Sequence, residues 1–195
     1  MARYVKLGSR PQNGRAARPI EWQVLYARKG EALVVSRYGL DCRPYFRNMT
    51  GVSWENSGLR RWLNREFLKE AFTPEEQRRI ILSDTPNADS KYGTPGGRDT
   101  RDRVFCLSLE EAERYFRNDS ERMCLPTALA KQRGACVSNR FCYWWLRSPG
   151  IDSECSSCVT PRGWPDPIGS FVSSGSIAVR PAMLIRLEPA DLAEL

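Results

Sequence analysis

Apolar and polar residues alternate along Ile20–Arg28 (IEWQVLYAR), and Ala32–Leu40 (ALVVSRYGL) follows across Lys29-Gly30-Glu31. Two extended runs joined by a short glycine turn predict a hairpin. The period then changes: Leu59, Trp62, Leu63 and Phe67 recur at helical spacing as one apolar stripe, with Arg60, Arg61, Arg65 and Lys69 largely off it. This predicts a core-packing helix with a charged outer face, capped by Ser53 or Asn56. Thr73-Pro74-Glu75-Glu76 predicts a second helix start, with Thr73 as cap and proline at the first helical position. Asn87–Asp102 is polar and glycine-rich and reads as a long surface loop. Its TPGGRDT lacks the GK[ST] ending of a phosphate loop. Val104–Leu107 predicts a short buried strand, Ser108 the cap of a helix through Leu109, Ala112 and Tyr115, and Pro126–Lys131 one more helical turn.

Phe141–Arg147 (FCYWWLR) predicts an aromatic strand, and after Ser148-Pro149-Gly150 the composition breaks. The 26 residues from Ile151 to Ser176 hold seven Ser, three Pro and three Gly, with no Ala, Leu, Lys or Gln. Strand pattern returns in Ile177–Leu187. A segment tied at both ends to apolar strands must fold back over the domain as turns and short strands. Within it Trp164 sits in Arg-Gly-Trp-Pro-Asp-Pro, where flanking prolines restrict the backbone. A large ring on a pre-ordered loop gives contact area at small entropic cost, as a binding surface requires.

The 195 residues, 41% hydrophobic, suit a single domain over 1–195 with a sizeable core. The net charge of +7 comes from arginines interspersed with acids, as in RRWLNREFLKE, which predicts a solvated mixed-charge surface rather than a nucleic-acid site. No run approaches the ~20 apolar residues of a membrane span. The basic N-terminus has no apolar h-region, so no secretory signal is expected; a phage virion, the cytoplasm or another export route all stay open. The chain has no His, which removes Ser–His and Cys–His nucleophile systems. Seven cysteines, an odd count, predict reduced and mostly buried thiols, and Cys155 and Cys158 form a lone CxxC without a second ligand pair. Neither a metal, a cofactor nor a catalytic residue is expected.

Longer strings are more specific. KLGSRPQ (6–12), IEWQVL (20–25), SRYGLDCRPY (36–45), WENSGLRRWLN (54–64), DTRDRVFCLS (99–108), PTALAKQRGA (126–135), YWWLRSPG (143–150) and AVRPAML (178–184) together span nearly the whole chain. In YWWLRSPG and AVRPAML the chain resembles the C-terminal end of variable proteins of diversity-generating retroelements, in the formylglycine-generating-enzyme-like branch of the C-type lectin fold; in the other strings it resembles a bacterial and phage domain family that ends in the same motifs. The resemblance implies an α+β, C-type-lectin-like domain with a loop-rich C-terminal half. It also implies a variable display region at 151–176 that binds a protein or cell-surface ligand. Trp144, Trp145, Leu146, Arg147, Val179, Arg180 and Pro181 would be scaffold. The display positions would be Ile151, Asp152, Glu154, Cys155, Cys158, Thr160, Arg162, Trp164, Asp166, Ile168, Phe171 and Ser173. Ser153, Ser156, Ser157, Val159, Gly163, Gly169 and Val172 would hold the backbone. Such systems randomise AAC-type codons, and codons ending in C exclude Trp, Glu, Lys, Gln and Met; only Glu154 and Trp164 in the segment fall in that set. The enzyme branch uses a copper-binding cysteine pair near its C-terminus, whereas 176–195 holds no Cys, so catalysis does not carry over. A formylglycine-generating-type oxidase and a basic nucleic-acid-binding module are the rival readings.

Overall fold

A computed structural model describes residues 3–14 and 16–193. Helix and strand are mixed, and the strands form two five-stranded sheets and three small ladders. The first sheet has the order Tyr4–Pro11, Ala17–Arg28, Glu31–Ser36, Ala182–Arg186, Ile80–Ile81, every pair antiparallel. Its hairpin turns at Lys29 (φ 52°) and Gly30 (φ 78°), the two left-handed residues that a turn matching the strand twist requires. The strand Tyr4–Pro11, with Val5 and Leu7 buried, was not legible in the basic N-terminus.

The second sheet has the order Pro165–Phe171, Cys155–Val159, Trp144–Pro149, Ala178–Val179, Asp41–Cys42. Only the contact of Trp144 with Ala178 is parallel. The two sheets are consecutive at Arg180-Pro181, where the chain leaves one and enters the other. Arg180 is buried there. Its guanidinium donates to the carbonyls of Ser36 (2.9 Å) and Arg122 (3.1 Å) and to Gln23 Oε1 (3.3 Å), and lies over the rings of Trp144 and Phe116. A buried cation is tolerated because each face of it is satisfied.

The predicted stripe is buried: Leu59, Trp62, Leu63 and Phe67 all face the core from a helix running Gly58–Ala71. A π turn occupies Leu63–Phe67. Its cap is Ser57, whose hydroxyl accepts from the Arg60 N–H at 3.0 Å, not Ser53 or Asn56. A 3₁₀ turn at Trp54–Asn56 intervenes and moves the extended capping residue to Ser57. Thr73 and Ser108 cap as expected, each in a capping box with the glutamate three residues on. The Asn87–Asp102 stretch is not purely surface loop. Thr100–Asp102 pairs with Ser83–Thr85, and buried Asp102 accepts from Trp54 Nε1 (3.0 Å), Arg60 Nε (2.7 Å) and Thr100 Oγ1 (2.7 Å). Val104–Leu107 is buried as predicted, but forms no ladder: it meets the first sheet at the Phe105–Ala182 bridge and the second where Arg147 N donates to Leu107 O at 2.9 Å.

Candidate binding surface

Residues 151–176 fold back over the domain as turns and strands, as expected, with Cys155–Val159 and Pro165–Phe171 forming a hairpin. Cys155–Val159 lies between Trp144–Pro149 and the edge strand Pro165–Phe171, so all five of its residues are buried. Both neighbours bulge against it. Cys158 pairs with Trp145 and Ser156 with Pro149 on one side; Ser156 pairs with Ser170 and Cys158 with Asp166 on the other. The bulges free carbonyls, and the buried serines take them up. Ser156 Oγ donates to Leu146 O and Ser148 O, both at 3.1 Å, and Ser157 Oγ to Pro149 O at 3.0 Å. A segment poor in aliphatics still makes a central strand because its small side chains bond the neighbouring backbone.

This geometry corrects two display positions. Cys155 and Cys158 are buried, not presented. Three residues apart on a regular strand, they point to opposite faces, so the CxxC does not converge on one ion. Burial pushes both thiols up, Cys155 to about 11 with help from Asp152 and Glu154, and Cys158 to about 12 with help from Asp166. Among the described residues no three Cys, Asp or Glu side chains converge as metal ligands.

Three further display positions shape the loop. Asp152 Oδ1 accepts from the Glu154 N–H (2.9 Å), Asp166 Oδ1 from the Ile168 N–H (3.0 Å) and Thr160 Oγ1 from the Trp164 N–H (3.2 Å). These are side-chain turns of the kind Asp and Thr favour. Thr160, Asp166 and Ser173 are half-buried, while Asp152, Glu154 and Arg162 are exposed. The large apolar side chains stand out: Ile151 is 45% exposed, Trp164 and Ile168 51%, Phe171 55%. Of the six tryptophans, Trp164 alone is exposed.

Trp164 rises from a fixed turn. Gly163 N donates to Thr160 O at 2.8 Å, and Thr160 N to Trp164 O at 2.9 Å. Gly163 adopts φ +82°, and a Cβ there would stand 1.8 Å from Asp119 O, so only glycine fits. Arg122, which is ion-paired to Asp119, donates from Nε to Gly163 O at 2.8 Å. The turn is thus clamped to the 119–122 helix, with Arg162 stacked on the Trp164 ring 5.3 Å from its centroid. Beyond it, the edge strand carries Ile168 and Phe171 over about 20 Å.

Two loops join this end of the molecule that sequence reading did not connect to it. Val52 N donates to Ser153 O (3.0 Å), Phe46 N to Val172 O (2.9 Å), and Thr94 Oγ1 to Ile151 O (2.9 Å). Residues Gly51, Ser53, Thr94, Gly97 and Ser153 line a shallow groove of about 400 Å³ between them. The available signal was compositional: like the C-terminal segment, the 46–53 loop holds Gly and Ser and the 94–97 loop holds Gly and Pro.

Behind the surface Trp144, Trp145, Leu146 and Arg147 of the WWLRSPG string are buried. Trp144 Nε1 donates to Arg122 O (3.1 Å) and Trp145 Nε1 to Arg43 O (2.9 Å). Arg147 is ion-paired to Glu111 and donates to Cys106 O (3.0 Å). Among the described residues no helix is long and apolar enough to cross a membrane. A family model described as a domain of unknown function, DUF6273, matches residues 29–187. No curated protein and no solved structure matches the chain.

Proposed function

We propose that this chain, which belongs to the DUF6273 family, is a ligand-binding protein whose C-terminal hairpin displays a recognition surface on a fixed scaffold. The observation that carries this reading is the distribution of exposed apolar residues. Nine large hydrophobics are exposed among the described residues, and Ile151, Trp164, Ile168 and Phe171, four of the nine, fall in one hairpin. Exposed large apolar side chains gathered on one hairpin among polar neighbours are the composition expected of an interaction site. The hairpin's backbone is set by buried Ser156, Ser157 and Val159 and by the Gly163 clamp, so its outward side chains are pre-organised, which lowers the entropic cost of binding. Aromatic anchors of this kind dominate interface energetics.

The same partition supports the finer reading taken from the resemblance, a C-type-lectin-like variable protein of a diversity-generating retroelement with a protein or cell-surface ligand. In the corrected form Ile151, Glu154, Arg162, Trp164, Ile168 and Phe171 are free to vary, while Cys155 and Cys158 are scaffold. A reverse-transcriptase gene beside a near-copy of the 151–176 coding region is the expected neighbourhood; its absence would sink the retroelement part alone. The binding reading is tested by immobilising the wild-type chain and a Trp164→Ala/Phe171→Ala variant. A partner that dissociates from the double variant at least about tenfold more readily supports it, and equal retention of every captured partner by both overturns it.

A further inference from the structure

A second feature lies around the 58–71 helix, and it rests on a different set of residues from the display hairpin. Asp41 is wholly buried and is approached by three guanidiniums. Arg10 Nη2 donates to it at 2.9 Å and Arg133 Nη1 at 2.7 Å, while Arg43 Nε stands 3.7 Å from Oδ2, too far for a hydrogen bond. One carboxylate has fewer lone pairs than three arginines have donors. The excess is visible: Arg43 Nε and Arg10 Nη1 are buried without hydrogen-bond partners.

Arg43 is also a wall of an adjoining cleft of about 450 Å³. Its guanidinium lies 4.2 Å over the Trp62 ring, and the cleft adds Arg47 and Arg61 with Glu66 as the one acid. No carboxylate of the described residues forms an ion pair with Arg47 or Arg61. The lining thus carries three positive charges and one negative, a net of two positive. Phe46, Leu59 and Trp62 supply an apolar side, which strengthens electrostatics inside the cleft. The π turn at Leu63–Phe67, a local distortion often found beside functional sites, carries Glu66 into the lining.

We propose that this cleft binds the phosphate group of a small organic phosphate monoester, held by Arg43, Arg47 and Arg61. A phosphate monoester carries about −1.5 to −2 charges near neutral pH, which the net lining charge offsets. Guanidinium forks match its oxygens pairwise, better than a lysine would. The cleft volume falls in the range of small-molecule sites and exceeds what a bare phosphate fills, so the apolar side receives the organic group.

Phenyl phosphate titrated calorimetrically into the full chain at low ionic strength is the probe, with benzoate and inorganic phosphate as parallel arms. The expected result is a saturating single-site isotherm for phenyl phosphate, weaker binding of inorganic phosphate and weaker still of benzoate. The exposed pair Arg47→Gln/Arg61→Gln, which leaves the core untouched, is expected to weaken phenyl phosphate at least about tenfold with an unchanged melting temperature. Arg43→Lys keeps the charge but loses the fork, and is expected to weaken it as well. Arg78→Gln, on another exposed helix, is expected to bind like wild type. No saturation, equal affinity in the double variant, an equal loss in Arg78→Gln, or benzoate binding as tightly as phenyl phosphate would each overturn the proposal.

Discussion

Tryptophan is used here in two opposite ways, and the difference is measurable. Trp145 is fully buried, its ring packed edge-on to Tyr45 and its Nε1 bonded to Arg43 O. Removing it leaves a cavity and an unpaired carbonyl, so Trp145→Ala is expected to cost about 3–5 kcal/mol. Trp164 is half exposed and touches Arg162, so Trp164→Ala is expected to cost less than about 1 kcal/mol. Denaturant titration of the two variants decides this; comparable losses would place Trp164 in the fold rather than on a recognition surface. The cysteines divide in the same way. Cys136 is exposed and the other six are buried. In native protein under reducing conditions, one thiol is expected to react quickly with an aromatic disulfide reagent and the rest only after denaturation. Fast reaction of Cys155 or Cys158 would show that the central strand opens.

At the scale of the element, the hairpin depends on its turn. Gly163→Ala forces a Cβ into Asp119 O and a methylated residue into φ +82°, so either the turn or the 119–122 helix must move. The expected loss is about 2 kcal/mol or more in thermal or chemical denaturation, whereas Arg162→Ala beside it stays within about 0.5 kcal/mol. If the two are alike, the clamp does not fix the turn. Regular elements were the legible part of the sequence, because period and capping chemistry are local: the hairpin read over Ile20–Arg28 and Ala32–Leu40, whose second strand ends at Ser36, the Leu59–Phe67 stripe, and the Thr73 and Ser108 caps follow from residues a few positions apart. The Cys155–Val159 strand was not legible as a central strand. Its burial comes from bulges in two neighbours and from serine hydroxyls that reach their carbonyls, relations set by residues 8 to 10 positions away. That is why two cysteines read as display positions turned out to be interior. The convergence of the 46–53 and 94–97 loops on Ser153 and Ile151 was hidden for the same reason, since contacts of long sequence separation create it.

For the molecule as a whole, the first and last strands belong to the same sheet. Ala182–Arg186 pairs with Glu31–Ser36, while Ala178–Val179, just before it, belongs to the other sheet. Cooperative unfolding is therefore expected to expose both sheets together, and with them a set of buried thiols. Burial holds Cys42, Cys106 and Cys158 at about 12 and Cys155 at about 11, and it pushes the Tyr45 hydroxyl up as well. The same thiols in an unfolded chain titrate near 8.5. Between those values the folded state binds more protons than the unfolded state, so stability falls as pH rises. Below about pH 8.5 both states keep the thiols protonated and this contribution is fully present; it is lost on going up through about 11 to 12. The denaturation midpoint is thus expected to decline steeply from about pH 9 upward, and Cys106→Ala is expected to make the decline shallower by removing one of the fully buried groups. Both effects follow from the number of thiols enclosed by the two sheets rather than from any single contact. An alkaline limb that is flat to pH 11, or unchanged in the Cys106→Ala variant, would show that these thiols meet water before the fold is lost.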